Sequence, residues 1–143
     1  MKIRDIMTNH VSTVSSSTTI RDAANEMKSL DVGIIPVCDN GSKAVGVITD
    51  RDIIVRAVSE GKSLDSSVGD IMSVNPITVS PDTEVSEASK LMSQNQIRRL
   101  PVVEGGKIVG IVSLGDLAVE NKCSSQAGSA LSNISETTPF TIH

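Results

Sequence analysis

Two places in the chain bring a hydroxyl and a carboxylate together at one spacing. Thr49 is followed three positions later by Asp52, and Ser113 three positions later by Asp116. Each pair closes an apolar run, Val45-Gly46-Val47-Ile48 in one case and Val109-Gly110-Ile111-Val112 in the other. The hydroxyl donates and the carboxylate accepts, so an apolar strand that delivers them to the start of a helix can hold a sugar-phosphate. The same residue types also make ordinary helix caps, and a cap residue sits where such a ligand would lie. Two matching corners imply two related sites.

The corners belong to a longer internal repeat. An offset of 65 residues aligns Asp5-Ile6-Met7 with Asp70-Ile71-Met72, Thr13-Val14-Ser15 with Thr78-Val79-Ser80, and Pro36-Val37 with Pro101-Val102. The offset falls to 64 after Gly41-Ser42, where a turn tolerates the missing residue, and pairs Lys43 with Lys107 and Asp52 with Asp116. Two copies favour a closed pair over a solenoid, whose stacking needs at least three.

Periodicity changes in the same order within each copy. Val11–Val14 and Ile77–Val79 are short and strand-like. Ile20, Ala23, Ala24, Met27 and Leu30, and then Val85, Ala88, Leu91 and Met92, recur at helical spacing. Asp82 or Thr83 suits the N-cap of the second helix. Ile34-Ile35-Pro36-Val37 and Leu100-Pro101-Val102-Val103 read as buried strands. Each meets a hairpin turn, Asp39-Asn40-Gly41 or Glu104-Gly105-Gly106, because Gly and Asn accept positive φ. Second strands follow at Ala44–Ile48 and Ile108–Val112, and Ile53, Ile54, Ala57 and Val58 predict a last helix ending near Gly61. Each copy reads β-α-β-β-α, an α+β class. A unit of about 55 residues buries its sheet poorly alone, so the copies are expected to pack together. Residues 1–61 form the first repeat and 62–121 the second. Residues 122–143 form a Ser/Thr-rich tail, with a short helix expected over 127–134 and a loose end.

Composition narrows the classes of function. Aromatic content is 1%, the single Phe140, so the core is aliphatic and a base would be held without aromatic stacking. A net charge of -4 argues against a nucleic-acid partner, which calls for clustered Lys and Arg. The chain shows neither a signal-peptide pattern nor an apolar run of about 18 residues, so no membrane association and a cytoplasmic location are expected. Cys38 and Cys123 have no disulfide or metal spacing, and Cys38 matches Val103, an apolar strand position. His10 and His143 offer no metal pair and no nucleophile-base partner. Gly105-Gly106-Lys107 lacks the upstream Gly and following Ser/Thr of a P-loop, so catalysis is not expected.

The Asp-Ile-Met openings, Thr-Val-Ser strands, hydrophobic-Pro-Val strands and Gly-x-x-Thr/Ser-x-x-Asp ends, twice and in order, resemble a tandem pair of CBS domains over Ile3 to roughly Val119. A closer resemblance is to small stand-alone bacterial proteins of this kind. The resemblance implies a Bateman module, its two repeats packed through their sheets with pseudo-twofold symmetry. It also implies adenosyl ligands (AMP, ADP, ATP or S-adenosylmethionine), a homodimer and no catalysis.

It further implies that each cleft draws on both repeats. One would combine Thr13, Ile34, Ile35 and Pro36 with Ser113, Leu114, Gly115 and Asp116. The other would combine Thr78, Arg98, Arg99, Leu100 and Pro101 with Thr49, Asp50, Arg51 and Asp52. In such clefts the aspartate accepts both ribose hydroxyls, Thr or Ser donates to phosphate beside free helix N–H groups, and backbone before each proline reads the adenine edge. The Asp52 set carries three arginines, where the Asp116 set has Gly33, Ile34 and Gly115 at matching positions. Phosphorylated ligands are therefore expected to favour it. With no effector domain in the sequence, output would pass in trans to an unidentified protein. The competing expectation is a ligand-independent homodimeric scaffold.

Overall fold

The computed structural model describes residues 1–119. The expected tail helix and Cys123 lie outside them. The chain forms two compact units, and neither is one contiguous stretch. One unit comprises Ser12–Pro76 with Gly105–Ile108; the other comprises Met1–Val11, Ile77–Glu104 and the described residues from Val109.

The Ser12–Pro76 unit is built on α1 (Ile20–Leu30), β1 (Ile34–Asp39) and β2 (Lys43–Thr49). Helix α1 starts where the Thr19 hydroxyl accepts from the Asp22 N–H at 3.1 Å, and it stops at Asp31 in the left-handed region. Its spacing puts Ile20, Ala23 and Met27 in the core with Val14, Ile35, Val37, Ile48, Ile53, Ala57, Val68 and Ile71. Leu30, expected on that face, is 43% exposed because the helix ends there. Strands β1 and β2 pair antiparallel, with Ile34 opposite Thr49 and Pro36 opposite Val47. Asn40 and Gly41 both have positive φ, 50° and 86°, in the three-residue loop between Asp39 and Lys43, a backbone that Asn and Gly accept most readily. Cys38 is buried in β1, and burial pushes its thiol pKa up.

The other unit repeats the plan with α3 (Val85–Asn95), β3 (Arg99–Glu104), β4 (Lys107–Ser113) and α4 (Leu114–Val119), where β4 begins in residues grouped with the first unit. Gly105 and Gly106 supply the positive-φ turn, and β3 and β4 are hydrogen-bonded neighbours. Ile3, Val79, Val85, Ala88, Met92, Leu100, Val102, Val112 and Leu117 form its core.

Three expectations change. The pieces Val11–Val14 and Ile77–Val79 are single parallel bridges, Val14 to Val37 and Val79 to Val102. The N-cap of α3 is Glu84, because the Thr83 hydroxyl is taken by the Ser80 N–H at 3.0 Å in the preceding turn. The helix after β2 is a single turn, α2 (Asp50–Asp52), that widens to π winding over Ile53–Val58. Ile53 and Ala57 are buried, but Ile54, Val55 and Val58 are exposed.

The repeated openings are exchanged between units. Ile3 sits in the core of the unit containing the second copy, and Thr8 exchanges both backbone hydrogen bonds with Ile111 there, at 2.9 and 3.0 Å. Val68 and Ile71 enter the other core, and Ser73 exchanges the same two bonds with Val47, at 2.8 and 2.9 Å. Gly46 permits this approach, since a Cβ there would lie 2.5 Å from the Ser73 carbonyl oxygen. No helix among the described residues is long and apolar enough to cross a membrane.

Candidate functional site

Strand β2 runs from the hairpin to Thr49, and the chain turns there into α2. The turn is a capping box: the Asp52 N–H donates to the Thr49 hydroxyl at 3.0 Å, and the Thr49 N–H donates to the Asp52 carboxylate at 3.1 Å. Because the Thr49 oxygen accepts, its own proton stays free to be donated. The sequence alternatives of cap and site are thus compatible, with the cap itself realised.

Asp52 is only 6% exposed. A buried carboxylate needs donors, and two residues absent from the sequence-based site bear on it. The Ser73 hydroxyl lies 3.1 Å from Oδ1 and 3.2 Å from Oδ2. Arg56, four residues along, brings Nη1 to 3.8 Å from Oδ1 and donates to the carbonyls of Ile71 at 3.1 Å and Met72 at 3.2 Å. Arg56 and Ser73 thereby fix the segment 71–73 to the corner. The sequence held two signals: Ser73 matches Thr8 at the repeat offset, and Arg56 falls within a turn of Asp52.

The first backbone donors of α2 are engaged. Asp50 N–H donates to the Gly33 carbonyl at 2.9 Å, Arg51 N–H to the Asp50 carboxylate at 2.8 Å, and Asp52 N–H to Thr49. The expected free N–H groups are therefore absent at these three positions. An anion at this corner would meet the Thr49 hydroxyl and the Arg51 side chain instead. Arg51 is exposed, and it makes no ion pair with the described residues.

The Ser113–Asp116 corner has the same reciprocal bonds, 3.1 Å from Asp116 N–H to the Ser113 hydroxyl and 2.8 Å from Ser113 N–H to the Asp116 carboxylate. It differs in its surroundings. Asp116 is half-buried, and Gly115 stands where Arg51 stands in the other copy. Leu114 N–H donates to the Arg98 carbonyl at 2.8 Å, and the Leu114 side chain packs on the core.

The proline strands lie beside these corners within each unit. Pro36 and Pro101 are buried, and their carbonyls accept from Val14 and Val79 N–H, both at 3.1 Å. Strand alternation points the polar backbone of Ile35 toward β2, opposite Ile48, and turns that of Ile34 to the other edge. Ile34, two positions before the proline, therefore has the backbone available for reading a base edge, and Arg99 is its counterpart. Thr13 and Thr78 are exposed, Leu100 is buried, Arg98 is exposed and Arg99 is half-buried. Neither Arg98 nor Arg99 forms an ion pair with the described residues.

The family model described as "CBS domain" matches twice, over residues 3–59 and 68–120. The CBS domain-containing protein YhcV of Bacillus subtilis (strain 168) is 46% identical over 133 residues, covering 93% of this chain and 94% of that protein. Among solved structures, CBSX2 in complex with AMP is 30% identical with a TM-score of 0.71, covering 80% of this chain and 91% of that one. The CBS domain pair of protein MJ0100, in complex with 5′-methylthioadenosine and S-adenosyl-L-methionine, is 30% identical with a TM-score of 0.73, covering 83% and 98%. With both matched segments carrying the same hairpin and the same hydroxyl–carboxylate corner, the chain belongs to the CBS domain family and contains two copies of that domain.

Proposed function

We propose that the protein is a non-catalytic regulatory module that binds an adenosyl ligand and signals in trans. AMP, ADP, ATP and S-adenosylmethionine are the candidates. The observation that carries this reading is the Thr49–Asp52 corner, a buried carboxylate and a hydroxyl with a spare proton beside Arg51, which has no ion-pair partner among the described residues. Asp52 takes the ribose hydroxyls, while Thr49 and Arg51 take phosphate. In each copy a strand suits a base, by the backbone at Ile34 with Ile35 and Pro36 as aliphatic walls in one, and by the backbone at Arg99 with Leu100 and Pro101 in the other. Thr13, Thr78, Asp50 and Arg98 complete the proposed ligand set, with Ser113, Leu114, Gly115 and Asp116 as the matching second corner. The AMP and S-adenosylmethionine complexes of similar proteins support the ligand class. Gly115 in place of Arg51 supports a preference of phosphorylated ligands for the Asp52 corner. A ligand that binds two shapes of the module unequally shifts their populations, and a partner protein reads that shift.

A second reading has its own observation. The exposed Ile54, Val55 and Val58 form an apolar strip on the π turn, which suits a homodimeric scaffold whose corners serve only as caps. Calorimetric titration with the four ligands separates the two. Saturable binding that is lost in Asp52→Ala supports the sensor, and silence across the panel supports the scaffold.

A further inference from the structure

We propose that Ser73 sets the nucleotide affinity of the Asp52 corner, by holding the carboxylate in the place a ribose diol would take. The inference rests on the reading of Asp52 as the ribose-binding group. A carboxylate grips a vicinal diol with one hydroxyl on each oxygen. The Ser73 hydroxyl already spans both oxygens, at 3.1 and 3.2 Å, while the Thr49 N–H occupies Oδ2 from the capping box. The Asp52 side chain is 8% exposed, so little of it is left for a second donor. A nucleoside must therefore displace Ser73 before both of its hydroxyls can be accepted. The exchange replaces one donor with two. A bound diol leaves the buried charge better satisfied, and the unbound carboxylate is not left without a partner. Ser73 holds its position through its backbone, paired with Val47 in both directions. Removing the hydroxyl should thus leave the segment in place. The matching residue on the other copy, Thr8, makes the same backbone pair with Ile111, so threonine fits this backbone as well.

The test is calorimetric titration of the wild type, Ser73→Ala and Ser73→Thr with AMP and with 2′-deoxy-AMP, folding being verified by circular dichroism. The expected result is AMP binding about tenfold tighter in Ser73→Ala, from loss of one competing charge-assisted hydrogen bond. Ser73→Thr should match the wild type. The affinity for 2′-deoxy-AMP, which cannot span both oxygens with a diol, should be the same in Ser73→Ala as in the wild type. AMP binding to the wild type with no gain in Ser73→Ala, or an equal gain for both nucleotides, would overturn the role of Ser73 alone. Silence in all three proteins would overturn the nucleotide reading and this inference with it.

Discussion

Gly46 approaches the carbonyl oxygen of Ser73 so closely that a Cβ at position 46 would lie 2.5 Å from it. The contact seals the opening of one repeat onto the hairpin of the other, and the two backbone bonds between Val47 and Ser73 sit beside it. Gly46→Ala must push backbone apart, so it should destabilise the protein by about 2–3 kcal/mol, as overpacking at a rigid contact does. Gly110→Ala should cost less. The nearest atom there is the movable Met7 sulfur at 2.7 Å, and the Thr8 carbonyl is at 2.9 Å. Urea denaturation of both variants checks the order.

That contact also shows how far the sequence could be read. The repeat, the turn glycines and the Thr/Ser-x-x-Asp corners depend on local spacing, and they were legible as such. The exchange of openings was not, because Ile3 and Val68 look alike in sequence and only packing decides which core each enters. Ser73 escaped for a related reason. It lies 21 residues from Asp52, and no spacing rule links a serine after an Asp-Ile-Met opening to a carboxylate on the preceding repeat. The π winding over Ile53–Val58 was hidden too, since one wide turn leaves too few apolar positions to distinguish it from an ordinary helix.

Arg56 ties residues 71–73 to the Asp52 corner through the carbonyls of Ile71 and Met72. Its side chain is half exposed, which limits the gain. Arg56→Ala should lower stability by about 1 kcal/mol, the net worth of hydrogen bonds from a charged donor in a partly wet site. Hydrogen exchange at the Val47 and Ser73 amides should quicken in parallel.

Asp39 makes part of the stability depend on pH. Its carboxylate accepts from the Ser16 N–H at 2.9 Å and the Ser16 hydroxyl at 2.7 Å, and these bonds hold its pKa below the ordinary 3.8. The unfolded chain therefore binds this proton more readily, and the contribution is complete above the ordinary value and lost as pH falls through the lowered one. Ser16→Ala should flatten the fall in stability on acidification in that window. Urea midpoints measured between about pH 5 and about pH 2 check the sign.

The exposed strip on the π turn bears on assembly. The scaffold reading makes this strip a homodimer contact, so replacing Ile54 and Val58 together by Asp should shift the mass in light scattering to that of one chain while the circular dichroism spectrum stays unchanged. An unchanged mass would contradict a dimer contact at this strip.

The measurement that bears most directly on function is the binding of AMP to the wild type, Asp52→Ala and Asp116→Ala by isothermal calorimetry, which suits a chain with no Trp or Tyr. The account predicts saturable binding to the wild type, abolished by Asp52→Ala and weakened less by Asp116→Ala. No heat with AMP, ADP, ATP or S-adenosylmethionine, or a loss in Asp116→Ala equal to or greater than that in Asp52→Ala, would contradict it.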